Sequence, residues 1–95
     1  MIPKIRYVEA LPQFGLFLIF ENGLIKYYDL QKKLQNPIYQ PLKDEAFFRT
    51  VQVDAGGYGI VWNDEIDLSE NECWLNSVEI TNISELVQNI QQKTS

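Results

Sequence analysis

The sequence predicts an α+β fold: an antiparallel sheet of about five strands, built from a three-strand meander and a second hairpin, with short helices and a C-terminal helix. One observation is the stretch 14–29, FGLFLIFENGLIKYYD, in which two runs rich in β-branched and aromatic residues flank Asn22-Gly23. This is the strongest short-range signal for a two-residue type I′ hairpin. Another is the pair of short apolar runs around the glycine-rich segment 54–57, and a third is a helical apolar stripe near the C-terminus.

A turn at Asn22-Gly23 fixes the register of the first hairpin. It pairs Phe20 with Ile25, and successive side chains then alternate between the two faces of the strands. One face is almost wholly apolar and is predicted to form the core. It contains Phe14, Leu16, Leu18, Phe20, Ile25 and Tyr27.

The opposite face of the hairpin is expected to be an interaction surface. There Phe17 lies opposite Tyr28, and Ile19 lies opposite Lys26. The face is too apolar for free exposure to water, yet too polar for a deep core. We expect either another part of the chain or a partner protein to cover it.

Local signals on either side of the hairpin predict a strand and short turns. Residues 4–10 alternate as a first strand, with Ile5 and Tyr7 on one side. Asp29 is predicted to N-cap a short helical turn. That turn ends before Asn36-Pro37, since the residue before a proline avoids helical backbone, and the chain is then expected to be extended to residue 41.

The second half of the chain contains the other hairpin. An N-cap at Asp44 predicts a short helix, and strands follow at 51–53 and 58–62. Ser69, with Glu72 three residues later, forms a capping box that opens another short helix.

The C-terminal segment predicts an amphipathic helix. Asn82 and Glu85 form an N-cap pair, and an apolar stripe follows at i, i+3, i+4 and i+7. The stripe consists of Ile83, Leu86, Val87 and Ile90. A helix of about twelve residues is marginal on its own in water, so it must dock. We expect a single domain over residues 1–80, with the helix of 81–95 docked on its own sheet or on a second subunit.

Length and composition bound the class of protein. Ninety-five residues make one domain, and 45% hydrophobic and 22% charged residues are ordinary for a soluble globular protein. We expect no membrane partner, because no apolar run is long enough to cross a bilayer and no basic-then-apolar leader opens the chain. The single cysteine excludes an internal disulfide and favours a reducing cytoplasm.

Charge is unevenly distributed along the chain. Residues 1–50 contain seven Lys or Arg and five acids, a balance of +2, whereas residues 51–95 contain one Lys and eight acids, a balance of −7. The acidic half disfavours nucleic acid as a partner, because that affinity depends on cations placed on phosphates. It suits solubility or a basic protein partner.

No set of residues forms a reaction centre. The chain has no histidine, which excludes Ser-His and Cys-His pairs and a zinc site of the usual histidine kind. Cys73 lies beside Glu72, whose charge disfavours a thiolate, so the cysteine is predicted to be a small buried apolar residue. We expect no enzymatic activity and no cofactor.

A calcium loop is the one metal site that the acidic segment suggests. Oxygen ligands alternate at Asn63, Glu65, Asp67 and Ser69. However, Leu68 and Trp74 occupy the positions where an EF-hand needs its glycine and its bidentate glutamate. We therefore expect no metal.

Several short motifs follow one another between residues 5 and 75. They are Phe20-x-Asn22-Gly23, Tyr28-Asp29-Leu30, Pro41-Leu42-x-Asp44 with Phe47 or Phe48, Val51-x-Val53-Asp54, Ile60-x-Trp62 and Ile66-Asp67-Leu68. In this order they resemble the small bacterial family catalogued as domain of unknown function 2442. The resemblance implies a compact α+β domain of prokaryotic origin without established enzymatic activity, in a family whose members tend to be encoded beside small toxin-like proteins. Some relatives carry a helix-turn-helix, but one predicted tail helix with a single lysine does not support a DNA-binding appendage.

We therefore expect a non-enzymatic cytoplasmic protein-interaction domain, with an antitoxin-like partner of a neighbouring gene product as its more specific form. The alternatives are a self-associating structural domain (a homodimer) and a small carboxylate-based ligand-binding protein. Trp62, at the end of a predicted strand, is either core or an interface anchor. The predicted partner-binding residues are Phe17, Ile19, Tyr28, Trp62, Asn63, Asp67, Ile83, Leu86, Val87 and Ile90.

Overall fold

The computed structural model describes residues 1–91, which form seven strands, three α-helices and three 3-10 helices. The strands are β1 (Ile5–Leu11), β2 (Gly15–Phe20), β3 (Ile25–Asp29), β4 (Gln52–Val53), β5 (Gly59–Val61), β6 (Asp67–Ser69) and β7 (Val78–Glu79). The α-helices are α1 (Glu45–Phe48), α2 (Glu70–Leu75) and α3 (Ile83–Gln91). The 3-10 helices are Pro12–Phe14, Leu30–Gln35 and Pro37–Lys43.

The strands divide into two antiparallel sheets. The larger has the order β1-β2-β3-β7 and the smaller the order β4-β5-β6. The α+β class, the three-strand meander and the second hairpin are confirmed, although the strands form two sheets rather than one. The N–H of Ile5 donates to the carbonyl of Gly57 at 2.8 Å, which joins β1 to the loop between β4 and β5.

The turn between β2 and β3 is not the predicted two-residue turn. The N–H of Gly23 donates to the carbonyl of Phe20 at 2.9 Å, and the N–H of Phe20 donates to the carbonyl of Leu24 at 3.0 Å, so the loop has three residues. Within this loop only Gly23 has a positive φ, +90°. Asn22 instead accepts a hydrogen bond on its side-chain oxygen from the N–H of Leu24 at 3.0 Å. The loop is a type I turn followed by a glycine bulge.

The three-residue loop shifts the register of the hairpin by one residue. Leu16 pairs with Tyr28 and Phe17 pairs with Tyr27, so the predicted pairs are wrong. The core-facing residues of β2 are as predicted, but the two faces of β3 are exchanged. Tyr28 lies in the core and is 2% exposed, while Ile25 and Tyr27 lie on the outer face. The prediction that Tyr28 belongs to the outer surface is therefore wrong.

A β-bulge in β1 changes another predicted orientation. Ile5 pairs with Phe20 and Tyr7 pairs with Ile19, so Arg6 is skipped in the pairing. Because of this extra residue, Ile5 lies on the core face and is 2% exposed, whereas Tyr7 lies on the outer face and is 43% exposed. The sequence pattern, which assumes a regular strand, had placed both on one side.

Two connecting segments also differ from the prediction. The segment after Asn36, expected to be extended, is the 3-10 helix Pro37–Lys43, which Asn36 caps by accepting from the N–H of Ile38 at 3.1 Å. Proline at the first helical position favours this conformation, because its φ is already helical. The chain near residues 76–82, where the sequence predicts no strand, contains β7 paired with β3. Two residues are too few for a strand period to show in the sequence.

The predicted N-caps are confirmed. Side-chain oxygens of Asp29, Asp44 and Ser69 accept hydrogen bonds from backbone N–H groups at the start of the helices that follow them. Asn82 accepts from the N–H of Glu85 at 3.0 Å, and its own Nδ2 donates to the Glu85 carboxylate at 3.1 Å. Helix α3 therefore begins where the sequence predicted.

Side chains from both sheets and from the intervening helices meet in one core. The large side chains that are fully buried in it are Leu16, Leu18, Phe20, Leu30, Leu42, Phe48, Ile60 and Cys73. Burial, together with the charge of Glu72, raises the pKa of the Cys73 thiol to about 12. The prediction that Cys73 is a buried apolar residue is confirmed.

Candidate partner-binding groove

The outer face of the larger sheet is a mainly apolar surface. The register places on it Tyr7, Glu9, Gly15, Phe17, Ile19, Ile25, Tyr27, Asp29 and Val78. Phe17 packs edge-on against Tyr7, with ring centroids 6.2 Å apart and ring planes at 78°. Aromatic and aliphatic side chains therefore occupy the centre of this face.

Gly15 makes room on the outer face for the ring of Tyr27. A Cβ atom at Gly15 would lie 2.6 Å from Tyr27 Oη and 2.7 Å from its Cε2, so the ring lies directly over the glycine. Tyr27 is 3% exposed. Burial, with the nearby charge of Asp29, raises the pKa of its hydroxyl to about 12. Tyr27 is therefore a neutral, buried residue on the outer side of the sheet.

The first turn of helix α3 lies beside the outer face and forms the second wall of a groove. Ile83 and Leu86 line this groove together with Phe17 and Ile25, and the connecting residues 80–82 complete the lining. The groove has a volume of about 210 Å³, below the roughly 300–1,000 Å³ of small-molecule pockets. It therefore suits one or two anchoring side chains of a protein better than a whole small molecule.

Apolar side chains beside the groove are exposed. Ile83 is 73% exposed, Val78 is 51% exposed and Val87 is 43% exposed. Leu86 and Ile90, from the same helical stripe, are partly buried. The stripe is thus divided: one side contacts the domain and the other faces solvent.

Only part of the predicted partner-binding set is brought together. Phe17, Ile83 and Leu86 line the groove, and Ile19 shares the outer face with Phe17. These residues come from two segments far apart in the sequence. The groove therefore joins part of the predicted strand face to part of the predicted helical stripe.

Trp62 belongs to the core and not to an exposed rim. It is 8% exposed, its ring stacks on Phe48 with centroids 6.2 Å apart, and its Nε1 donates to the Phe48 carbonyl at 2.9 Å. The side-chain oxygen of Asn63 accepts from two backbone N–H groups and closes the turn before β6. Asp67 is exposed on β6. These three residues belong to β6 and to the turn that joins it to β5, and they take no part in the groove lining.

Comparison with protein-family models identifies the family of the chain. The model of the family described as protein of unknown function, DUF2442, matches residues 5–75. The chain belongs to the DUF2442 family. No curated protein and no solved structure matches it.

The DUF2442 segment supplies one wall of the groove and the chain after it supplies the other. Phe17 and Ile25 lie within residues 5–75, whereas Ile80, Ile83 and Leu86 follow that segment. Sequence reasoning missed Ile25 because of the wrong register. It missed Ile80 because the short strand β7 that precedes it was not predicted.

A polar cluster links α2 to the core face of the larger sheet. The Tyr28 hydroxyl donates to Glu72 Oε2 at 2.8 Å, and Lys33 Nζ lies 3.3 Å from the same oxygen. Partial burial acts to raise the pKa of Glu72, but the hydrogen bonds from Tyr28 and Lys33 and the charge of Lys33 outweigh it, so the pKa is lowered. Glu72 is therefore ionised at neutral pH and ties α2 to the sheet.

Replacing Glu72 with glutamine should destabilise the domain at neutral pH but not in acid. Because the folded carboxyl has a pKa below its ordinary value of 4.5, its contribution is present above that pH and is lost as the pH falls through the folded pKa. We expect a loss of about 1 kcal/mol at neutral pH, since glutamine keeps a neutral hydrogen bond to Tyr28. Urea unfolding of both proteins at neutral pH and at about pH 3 measures the difference.

The matched control for this prediction is Glu45→Gln. Glu45 pairs with Arg49 at 2.6 Å, but both side chains are exposed, so we expect a loss below about 0.5 kcal/mol at either pH. An equal loss at both pH values for Glu72→Gln would contradict the role assigned to the Glu72 charge.

Two open clefts beside this cluster are lined mainly by polar side chains. Their volumes are about 470 Å³ and 300 Å³, and they share Asp29, Lys32 and Asn76. Glu72 lines the smaller cleft but is already bound by Tyr28 and Lys33. The sizes fall within the range of small-molecule sites, so the carboxylate-based ligand-binding alternative keeps a structural basis.

Two other kinds of site are not found in the part of the chain that the structure describes. Within residues 1–91, no three side chains of His, Cys, Asp or Glu are grouped where they could hold a metal ion. Over the same range, no helix has the length and apolar character needed to span a membrane.

Proposed function

We propose that this DUF2442 protein is a non-enzymatic protein-interaction domain that binds a protein partner in the groove between the outer sheet face and α3. One observation carries the proposal: a small apolar groove lined by Phe17, Ile25 and Leu86 is bordered by the exposed side chains of Ile83 and Val87. Burial of such a surface against another protein is favourable, because it removes apolar area from water.

We propose further that the partner is the product of a neighbouring gene and that this chain acts in an antitoxin-like role in the cytoplasm. The support is the resemblance of its motifs to a family whose members tend to be encoded beside small toxin-like proteins. The balance of −7 over residues 51–95 suits a basic partner. The single cysteine suits a reducing compartment.

Co-expression of the chain with the product of the adjacent gene tests the proposal. We expect the two proteins to co-purify, and we expect Phe17→Ser and Leu86→Ser each to weaken the complex about tenfold or more. The reason is that burying one large apolar side chain contributes roughly 1.5–3 kcal/mol. Isothermal titration of the purified proteins gives the dissociation constants.

The matched control is Ile38→Ser. Ile38 is 53% exposed on the 3-10 helix Pro37–Lys43, outside the groove lining, so this variant should bind like the parent chain. Failure of the parent chain to associate with the neighbouring gene product would count against the proposal. An equal loss of affinity for Ile38→Ser and for the two groove variants would show that the groove is not the binding site.

Self-association is the second candidate function, and one observation favours it. Ile83 and Val87 face solvent on the same helix, so a second copy could cover them. Analytical ultracentrifugation decides this point. A protein that stays monomeric at high concentration would rule out self-association.

A further inference from the structure

Charged residues around the groove indicate the chemistry of its occupant. Among the paired outer-face positions the charged residues are Glu9 and Asp29, and the charged residue of α3 is Glu85. Lys26 lies on the other face, where its Nζ donates to the carbonyl of Trp74 at 2.7 Å and lies 4.2 Å from the centroid of that ring. Carboxylates therefore border the apolar surface.

Two cations among residues 1–91, Arg6 and Lys32, lie near this surface in the sequence but are placed elsewhere. Arg6, skipped in the bulge of β1, is exposed on the edge strand, and Lys32 lines the polar clefts. Neither residue lines the apolar groove. Glu9, by contrast, pairs with Phe17, and Glu85 is hydrogen-bonded to Thr81 and Asn82, all of which line it. A partner with positive charge thus meets carboxylates beside the groove.

Two of these carboxylates are held in position by neighbouring side chains. Glu9 accepts a hydrogen bond from the Tyr7 hydroxyl, and the Tyr7 ring packs against Phe17. Glu85 accepts from the hydroxyl of Thr81 and from Nδ2 of Asn82. Fixed carboxylates lose little conformational entropy when a cation of a partner binds them.

The larger sheet offers little free backbone to which a partner strand could bind. At one edge β7 is only two residues long, and at the other edge β1 lies beside β4 of the smaller sheet. Strand addition depends on backbone hydrogen bonds along an open edge, whereas an amphipathic helix needs an apolar groove for its anchoring side chains. Binding of an amphipathic helix in the groove therefore fits this domain better than strand addition.

We infer that the groove binds a basic amphipathic helix of the partner protein. Its apolar side chains lie between Phe17 and Leu86, and its lysines or arginines lie against Glu9 and Glu85. This inference rests on the proposed function and specifies the partner segment. A second copy of the chain fits less well, because a two-fold interface would bring two carboxylate-bordered surfaces together.

Two synthetic helical peptides test the inference with the full chain. They share the same leucine positions, and the polar positions are lysine in one peptide and glutamate in the other. We expect the lysine peptide to bind and the glutamate peptide to bind about tenfold more weakly or less. Shifts of backbone resonances in ¹⁵N NMR spectra should centre on Phe17, Ile25 and Leu86.

Two double variants that remove the same charge distinguish binding at the groove from general electrostatic attraction to an acidic protein. The double variant Glu9→Gln and Glu85→Gln keeps hydrogen-bond acceptors and the capping pair of α3, and it should weaken the lysine peptide about fivefold at low salt. The double variant Asp64→Asn and Glu65→Gln removes the same charge from the exposed turn before β6 and should bind like the parent chain.

Several outcomes would overturn the inference. They are binding of neither peptide, equal binding of both peptides, equal weakening by the two double variants, and resonance shifts away from the groove. If the neighbouring gene product still depends on Phe17 and Leu86 in any of these cases, the proposed function stands and only the basic helix is wrong. A concentration-dependent dimer that buries the groove would assign the surface to a second copy instead.

Discussion

Replacing Phe20 with alanine should destabilise the domain by about 4 kcal/mol. The Phe20 ring is fully buried, and Trp74 packs edge-on against it with ring centroids 5.0 Å apart and ring planes at 80°. Its removal leaves a cavity between β2 and α2 that the surrounding elements can close only in part. Since a small domain has a total stability of only about 5–15 kcal/mol, the loss is a large share. Urea unfolding followed by tryptophan fluorescence measures it.

The matched control is Phe17→Ala, on the same strand but on the outer face. Phe17 is partly exposed, so part of its apolar surface is already in contact with water and less is lost on truncation. We expect less than half of the effect of Phe20→Ala. An equal or larger effect at Phe17 would mean that the two faces of β2 are assigned the wrong way round.

Replacing Gly57 with alanine should cost about 3 kcal/mol. Its φ of +76° costs a residue with a Cβ roughly 1–2 kcal/mol, and the added Cβ would lie 2.9 Å from the carbonyl oxygen of Ile5. That oxygen belongs to the backbone, so relief of the clash disturbs the hydrogen bond from the N–H of Ile5 to the carbonyl of Gly57. Crowding of this kind adds about 1–3 kcal/mol. Chemical denaturation gives the difference in the free energy of unfolding.

Gly23→Ala separates the two causes. Gly23 has a φ of +90°, but an added Cβ would have no atom within 4 Å, so only the conformational cost of about 1–2 kcal/mol applies. Gly57→Ala should therefore be clearly the more damaging variant. If the two cost the same, the contact between the two sheets is looser than the structure shows.

The local features of the fold could be predicted from the sequence. The N-caps at Asp29, Asp44 and Ser69 are short-range, because each side chain reaches a backbone N–H two or three residues later. The capping pair Asn82 and Glu85 is equally local. These positions therefore marked the starts of their helices without any knowledge of the tertiary structure.

The register of the first hairpin could not be predicted from its turn residues. Asn22-Gly23 is compatible with loops of two or three residues, and the choice depends on whether Asn22 takes a positive φ or binds the N–H of Leu24. The difference of one residue exchanges Tyr27 and Tyr28 between the faces of β3. Gly15 carried a usable signal, because a glycine inside a strand often marks a place where another group approaches closely.

The candidate site was predicted in two separate halves. Phe17 on the strand and the stripe at 83–90 were both identified from their apolar pattern. The third part was missing: β7 fixes the chain to β3 before α3 begins, and its two residues leave no periodic pattern. Tertiary pairing, rather than local propensity, places the helix beside the sheet.

The end of the family match at residue 75 falls between the two segments of the chain that line the groove. The segment that carries Phe17 also carries the core, so changes there affect stability. Ile83 and Leu86 come from a tail that contributes little to that core. Under the proposed function, a change in the segment after residue 75 would therefore alter what the groove binds while leaving the folded core in place.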